Sequence, residues 1–316
     1  MSRTPGRLAT LLAASATVAI AASQTQTQTP QGPSFVAANR TVAVYATVTT
    51  AQGRLATDLS RDDFAIDDNG KRRALTLFSD DIQPITLVML LDRSGSMKPN
   101  FTLEEQAAEA FVRAMLPADK ARIGVFASRI QVDPPDFTSD HNALLSILHG
   151  DLPDDGPTPL WNAVDTAIDK LLVEPGRRVV LVFTDGVDMP LNFSNHNRSL
   201  KDVMKRAEED DVMVYAIGLA GQNGMRGQFG RQAEVEQPDE GLPKIAAATG
   251  GGYFALTSPR DLAFTFSRVA DELHRQYALG FTPENLDGKM HDLTLHLSKP
   301  GLTARARKRY LASKIR

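Results

Sequence analysis

Ile85-Thr86-Leu87-Val88-Met89-Leu90-Leu91, followed by Asp92-Arg93-Ser94-Gly95-Ser96, decides how this chain is read. A near-continuous apolar run of that length reads as a strand buried on both faces. It ends on an aspartate, and the turn that follows offers two hydroxyls beside the carboxylate. A hard divalent cation takes such a set of oxygen ligands from a rigid edge. A second run, Val179-Val180-Leu181-Val182-Phe183-Thr184, delivers Asp185 just before Gly186. Between the two lies Thr158-Pro159, which reads as a helix N-cap followed by an N1 proline. Asp92, Ser94, Ser96, Thr158 and Asp185 are the candidate metal ligands, with no catalytic residue and no organic cofactor site beside them.

Outward from these motifs, strands alternate with amphipathic helices from Pro84 to about Gln276. Thr102-x-x-Glu105 reads as a capping box, and Leu103, Ala107, Phe111 and Met115 then recur every four residues. Leu160, Val164, Ile168 and Leu171 form the apolar face of the helix after Thr158. The expected fold is α/β: a doubly wound, mostly parallel sheet with helices on both faces, Rossmann-like. The flanks are strand-rich. Phe64-Ala65-Ile66 and Ala74-Leu75-Thr76-Leu77-Phe78 bracket Asn69-Gly70, the strongest short hairpin signal. Three short strands follow Gln276 and make a poor core alone. They are therefore expected to join the N-terminal strands in a small β-sandwich. The expected divisions are an N-terminal β segment at 36–82, the α/β domain at 83–275 and a C-terminal β segment at 276–316.

The chain has 316 residues, 42% hydrophobic and 23% charged, enough for a full-sized core. It has no cysteine, which excludes disulfides, thiolate nucleophiles and zinc-thiolate sites. A net charge of −3 gives no reason to expect a nucleic-acid partner. Arg3 and Arg7 precede a short apolar run from Leu8 to Ala22, and Ala19-Ile20-Ala21 fits an A-x-A cleavage site. Residues 1–23 read as a signal peptide and 24–35 as a disordered tether, so the protein is expected in the periplasm or secreted. After signal cleavage no transmembrane segment is expected.

Other sites are weaker. The six histidines form no H-E-x-x-H pair, no G-x-S-x-G surrounds a serine, and Gly218 to Gly230 lacks the lysine-serine pair of a phosphate loop. His291 and His296 read as surface residues. Arg305, Arg307, Lys308 and Arg309 form a basic tail, read as a solvated face or as a patch drawn to an anionic envelope. Residues 221–241 read as a long polar loop near the metal edge. Asp154, Asp155 and Asp188 face either the cation or solvent.

The order Asp92-x-Ser94-x-Ser96, Thr158, Asp185 resembles the metal-ion-dependent adhesion site of von Willebrand factor type A domains. Asp92 to Met97 matches the first motif, Gly156 to Leu160 the middle one, and Phe183-Thr184-Asp185-Gly186 the third. The flanks resemble those of exported bacterial proteins related to that family. The resemblance implies that Ser94 and Ser96 bind Mg²⁺ directly, Asp92 and Asp185 largely through water, and Thr158 directly once a ligand is engaged. Mn²⁺ and Ca²⁺ are alternative ions. Two carboxylates neutralise one divalent cation and leave it electrophilic toward an Asp or Glu of a partner protein. The expected function is an exported, non-enzymatic protein-binding module. A structural or assembly component of the cell envelope and a metal-dependent hydrolase are the alternatives.

Overall fold

A computed structural model describes residues 41–191, 197–220 and 237–313. The expected signal peptide, the tether and residues 221–236 of the long polar loop lie outside them. Strands β1 (Val42–Thr50), β2 (Phe64–Asp68), β3 (Lys71–Arg73) and β4 (Leu75–Ser79) come first. The α/β region then runs β5 (Thr86–Asp92), α1 (Phe101–Ala114), β6 (Lys120–Phe126), β7 (Ile130–Thr138), α2 (His141–Leu148), α3 (Leu160–Leu171) and β8 (Arg178–Thr184). It continues through α4 (Leu200–Glu209), β9 (Val212–Leu219), α5 (Gly241–Thr249), β10 (Tyr253–Leu256) and α6 (Leu262–His274). Strands β11 (Tyr277–Phe281), β12 (Met290–Leu297), β13 (Leu302–Arg305) and β14 (Arg309–Leu311) close the described chain. No helix among the described residues is long and apolar enough to cross a membrane.

The central sheet has the order β10-β9-β8-β5-β6-β7 and is parallel except for β7, which runs antiparallel along the edge. All seven residues of β5 are buried. Because side chains alternate across a strand, Leu87, Met89 and Leu91 enter one core with Phe111 of α1, Leu144 of α2 and Phe266 of α6. Val88 and Leu90 enter the other, with Val164 and Ile168 of α3, Val203 of α4 and Leu242 of α5. That double burial explains the near-continuous apolar run. The chain leaves β5 on one side for β6 and returns on the other as β8, so the strand order reverses between β5 and β8. Ligands of open α/β sheets collect at the carboxyl edge of such a reversal.

The flanking strands interleave. One sheet has the order β13-β1-β11-β4 and the other β14-β12-β2-β3, so each mixes strands from both ends of the chain. Val44, Val48, Phe64, Ile66, Leu279, Phe281 and Tyr310 share their core. A buried polar network ties this layer to the α/β region. Gln276 Nε2 donates to Thr47 Oγ1 at 2.7 Å and to Tyr215 Oη at 3.1 Å, and Tyr215 donates to Glu272 Oε1 at 2.6 Å. Arg177 bonds the Leu273 carbonyl at 2.6 Å and also the Gln276 side chain.

Three expectations are corrected. Helix α1 starts at Phe101, directly after a 3-10 stretch from Gly95 to Asn100, so Thr102 lies within its first turn and forms no capping box with Glu105. His291 is buried, with Nδ1 2.8 Å from Asp68 and Nε2 3.2 Å from Asp287. The basic tail is drawn in only in part: Arg305 pairs with Glu272 and Arg307 with Asp211 at 2.6 Å, whereas Lys308 is exposed and Arg309 meets the exposed Asp292 at 3.2 Å.

Replacing Gln276 by Leu strands the Arg177 Nη2 from which Gln276 accepts, and leaves the Thr47 and Tyr215 hydroxyls with their bonds to Glu272. A buried polar group left without its partner costs about 1–3 kcal/mol. The Gln276→Leu variant should therefore lose that much unfolding free energy in urea titrations followed by circular dichroism.

Candidate metal centre

The parallel pairing of β5 with β8 places Leu91 beside Phe183, so the two strands end together. Asp92 is fully buried there. Its Oδ1 accepts the Ser94 N–H at 2.9 Å, and its Oδ2 accepts the Thr184 hydroxyl, whose own oxygen accepts the Gly186 N–H at 3.0 Å. These bonds fold the chain back over the strand end. Ser94 Oγ then lies 3.2 Å from Ser96 Oγ, and Ser96 donates to Asp185 Oδ1 at 2.7 Å. Two motifs 89 residues apart are thus in direct contact.

Thr158 comes to the same edge on the loop before α3. The Arg93 carbonyl accepts the Asp155 N–H at 3.0 Å, and the Gly156 carbonyl accepts the Gly95 N–H at 3.4 Å. Gly156 has φ +122°, and a Cβ there would stand 2.7 Å from the Ser128 nitrogen, so only glycine fits. A Cβ on Gly186 would stand 3.3 Å from Thr158 Oγ1, which shows how closely the third motif approaches Thr158. The Thr158 carbonyl accepts N–H groups from Leu160 and Met189, each at 2.7 Å. Its hydroxyl forms no cap, because the N-cap position of α3 is Pro159. Asp188 serves instead, its Oδ1 accepting the Trp161 N–H at 3.2 Å. The expectation that Thr158 caps the helix is corrected, and its hydroxyl is left for the edge.

The acidic neighbours divide by partner. Asp188 is committed to α3, Asp155 forms an ion pair with Lys98 at 3.5 Å, and Asp154 is exposed. Burial pushes the Asp92 carboxyl up to about 6, against the hydrogen bonds from Thr184 and Ser94, and the Asp185 charge adds to the rise. A buried acid absent from the sequence reading is Glu104 on α1, whose Oε2 lies 3.6 Å from Arg93 Nη1. Its signal was present: Glu104, Ala107, Ala108 and Phe111 lie on one buried helical stripe. A second group of ligand-type side chains, Glu105, Glu109 and His149, has donor atoms within 4.8 Å of one another where α1 meets α2. His149 Nε2 lies 2.6 Å from Glu109, which Arg113 also engages at 3.3 Å. Pattern reading along one helix does not find it, because the histidine comes from another.

The family model of the von Willebrand factor type A domain matches residues 86–268, more than half of the chain. The chain belongs to the von Willebrand factor type A family. The match runs from β5 into α6 and includes all five candidate ligands of this type A domain. No curated protein matches the chain. Among solved structures, it is similar to a von Willebrand factor type A protein from Catenulispora acidiphila, with 14% identity and TM-score 0.49 over 80% of this chain and 76% of that one. It is similar to BatB from Bacteroides thetaiotaomicron, with 20% identity and TM-score 0.45 over 60% and 98%. It is also similar to proximal thread matrix protein 1 from the mussel byssus, seen with a zinc-occupied MIDAS motif, with 16% identity and TM-score 0.50. That match covers 66% of this chain and half of the mussel chain. Likeness at these identities is one of fold.

The raised Asp92 carboxyl has a pH signature in the metal-free type A domain. The folded state holds this proton up to about 6, whereas the unfolded state releases it near 3.8. The stabilisation is full below the lower value and is lost as pH rises through the upper one. With chelator present, the melting temperature of the wild type should fall relative to Asp92→Asn between pH 4 and 6.5. Parallel curves for the two proteins across that window would show that Asp92 ionises normally.

Proposed function

We propose that this von Willebrand factor type A domain is an exported protein-binding module that captures an acidic side chain of a partner through Mg²⁺. Asp92, Ser94, Ser96, Thr158 and Asp185 would hold the ion. The single observation that carries the reading is the Ser96–Asp185 contact at 2.7 Å, which brings hydroxyl and carboxylate donors from two distant motifs to one sheet edge. The donor set is all oxygen, which suits a hard cation. When bound, the ion supplies an electrophilic position for a carboxylate.

The remaining work falls to the chain itself. Ser94 and Thr184 orient the two Asp92 oxygens, so the carboxylate meets the ion in a fixed direction. The Trp161 N–H and Lys98 engage the Asp188 and Asp155 carboxylates, which would otherwise repel an acidic partner. Val187 and Met189, directly after the third motif, are 46% and 59% exposed. Exposed apolar side chains beside a polar centre favour a protein surface as the occupant, since its binding covers them. The carboxylates that the edge hydroxyls bond, Asp92 and Asp185, are the ones assigned to the ion, and the reading is of a binding module rather than an enzyme.

Immobilised wild-type protein should retain a partner from the parent cell's envelope in Mg²⁺ and release it in chelator. Asp92→Ala and Thr158→Ala should each reduce capture at least tenfold, while Met189→Glu should weaken it without altering Mg²⁺ binding. Capture that persists in chelator and in Asp92→Ala would refute the reading. A large fall in the melting temperature of Asp92→Ala without loss of capture would favour a structural role for the site.

A further inference from the structure

Glu104 is the most anomalous ionisable group near the sheet edge. It is fully buried, and neither carboxylate oxygen accepts a hydrogen bond from any described residue. Its ion-pair neighbour is Arg93, the residue between Asp92 and Ser94, with Nη1 at 3.6 Å. That separation is beyond hydrogen-bond range, whereas structural arginine–carboxylate pairs bond at shorter distance and often through both nitrogens. The Arg93 guanidinium instead lies 3.7 Å over the Phe101 ring, and its Nε also lacks a partner.

A buried carboxylate held only by a loose ion pair is costly unless another positive charge stands nearby. Here the fixed charges work against it. After burial itself, the negative charge of Asp92 is the largest influence, ahead of the attraction of Arg93, and Asp185 adds further repulsion. A leucine would suit the stripe formed with Ala107, Ala108 and Phe111 better than any acid. The backbone of Arg93 bonds β6 and the loop before α3 at once, donating to the Phe126 carbonyl and accepting from Asp155, each at 3.0 Å. Whatever holds the Arg93 side chain therefore also holds the turn that carries Ser94 and Ser96.

We propose that Glu104 is a third, outer carboxylate of the metal centre, a positioning residue that acts through Arg93 and through its charge. The inference rests on the reading of the five candidate ligands as a cation site. When all three are ionised, Asp92, Asp185 and Glu104 set against Arg93 leave two negative charges, the complement of one divalent cation. In a water-poor interior this attraction is weakly screened, so Glu104 strengthens binding without touching the ion. With the ion present, Glu104 would gain a second positive neighbour beside Arg93.

The test is Mn²⁺ binding by the full chain, followed by electron paramagnetic resonance of free Mn²⁺, alongside melting with and without the ion. Glu104→Gln and Glu104→Leu should weaken Mn²⁺ binding at least tenfold and shrink the Mn²⁺-induced rise in melting temperature. In chelator both variants should melt at or above the wild type, because a buried acid without a hydrogen bond is gone. Wild-type affinity in Glu104→Gln, or a fall in its metal-free melting temperature with affinity kept, would make Glu104 a plain structural partner of Arg93 and overturn the proposal. A wild type that takes up no Mn²⁺ would instead overturn the five-residue reading on which it stands.

Discussion

The parallel pairing of β5 with β8 is the constraint from which the rest of the edge follows. Six consecutive residue pairs, from Thr86 with Arg178 to Leu91 with Phe183, bring two strands to an end side by side. Asp92 and Asp185 emerge at that edge because Asp92 directly follows Leu91 and Asp185 follows Phe183 by one residue, Thr184, which bonds Asp92. The pairing holds because both strands are covered on both faces. Helices α1 and α6 lie on one side and α3 and α4 on the other, so a shift of register would move apolar side chains between differently shaped cores. The precision of the site is therefore inherited from core packing.

Two buried polar regions show contrasting chemistry. At the junction with the flanking strands, Gln276, Thr47, Tyr215 and Glu272 bond one another, and a network of that kind specifies geometry. At the opposite edge Asp92 and Ser96 are bonded, while neither Glu104 oxygen has a hydrogen bond to a described residue.

Motifs whose meaning is local were legible before the structure. The apolar runs into Asp92 and Asp185 declare strands buried on two faces, and the amphipathic stripes after them declare covering helices. The turn at Asn69-Gly70 was equally plain, but β2 pairs across it with the short β3, while the expected partner run became β4 of the other sheet. Residues whose role depends on a distant partner misled. His291 sits in an alternating strand, yet Asp68, 223 residues earlier, draws it inside. Arg305 and Arg307 find Glu272 and Asp211, partners far away in sequence, whereas Lys308 and Arg309 keep the exposed face that was expected of the whole tail. The capping box at Thr102 failed since the preceding 3-10 stretch had already started the helix.

By itself, the sequence determined the strand–helix order, the doubly buried strands and the three motifs that share an edge, because hydrophobic periodicity and turn chemistry act over a few residues. Only the tertiary structure decided which acids face that edge. Asp188 went to the start of α3, Asp155 to Lys98, and Glu104 was carried underneath by one turn of α1. Charge and burial are set by what packs around a side chain, and that neighbourhood is assembled from residues far apart in the chain.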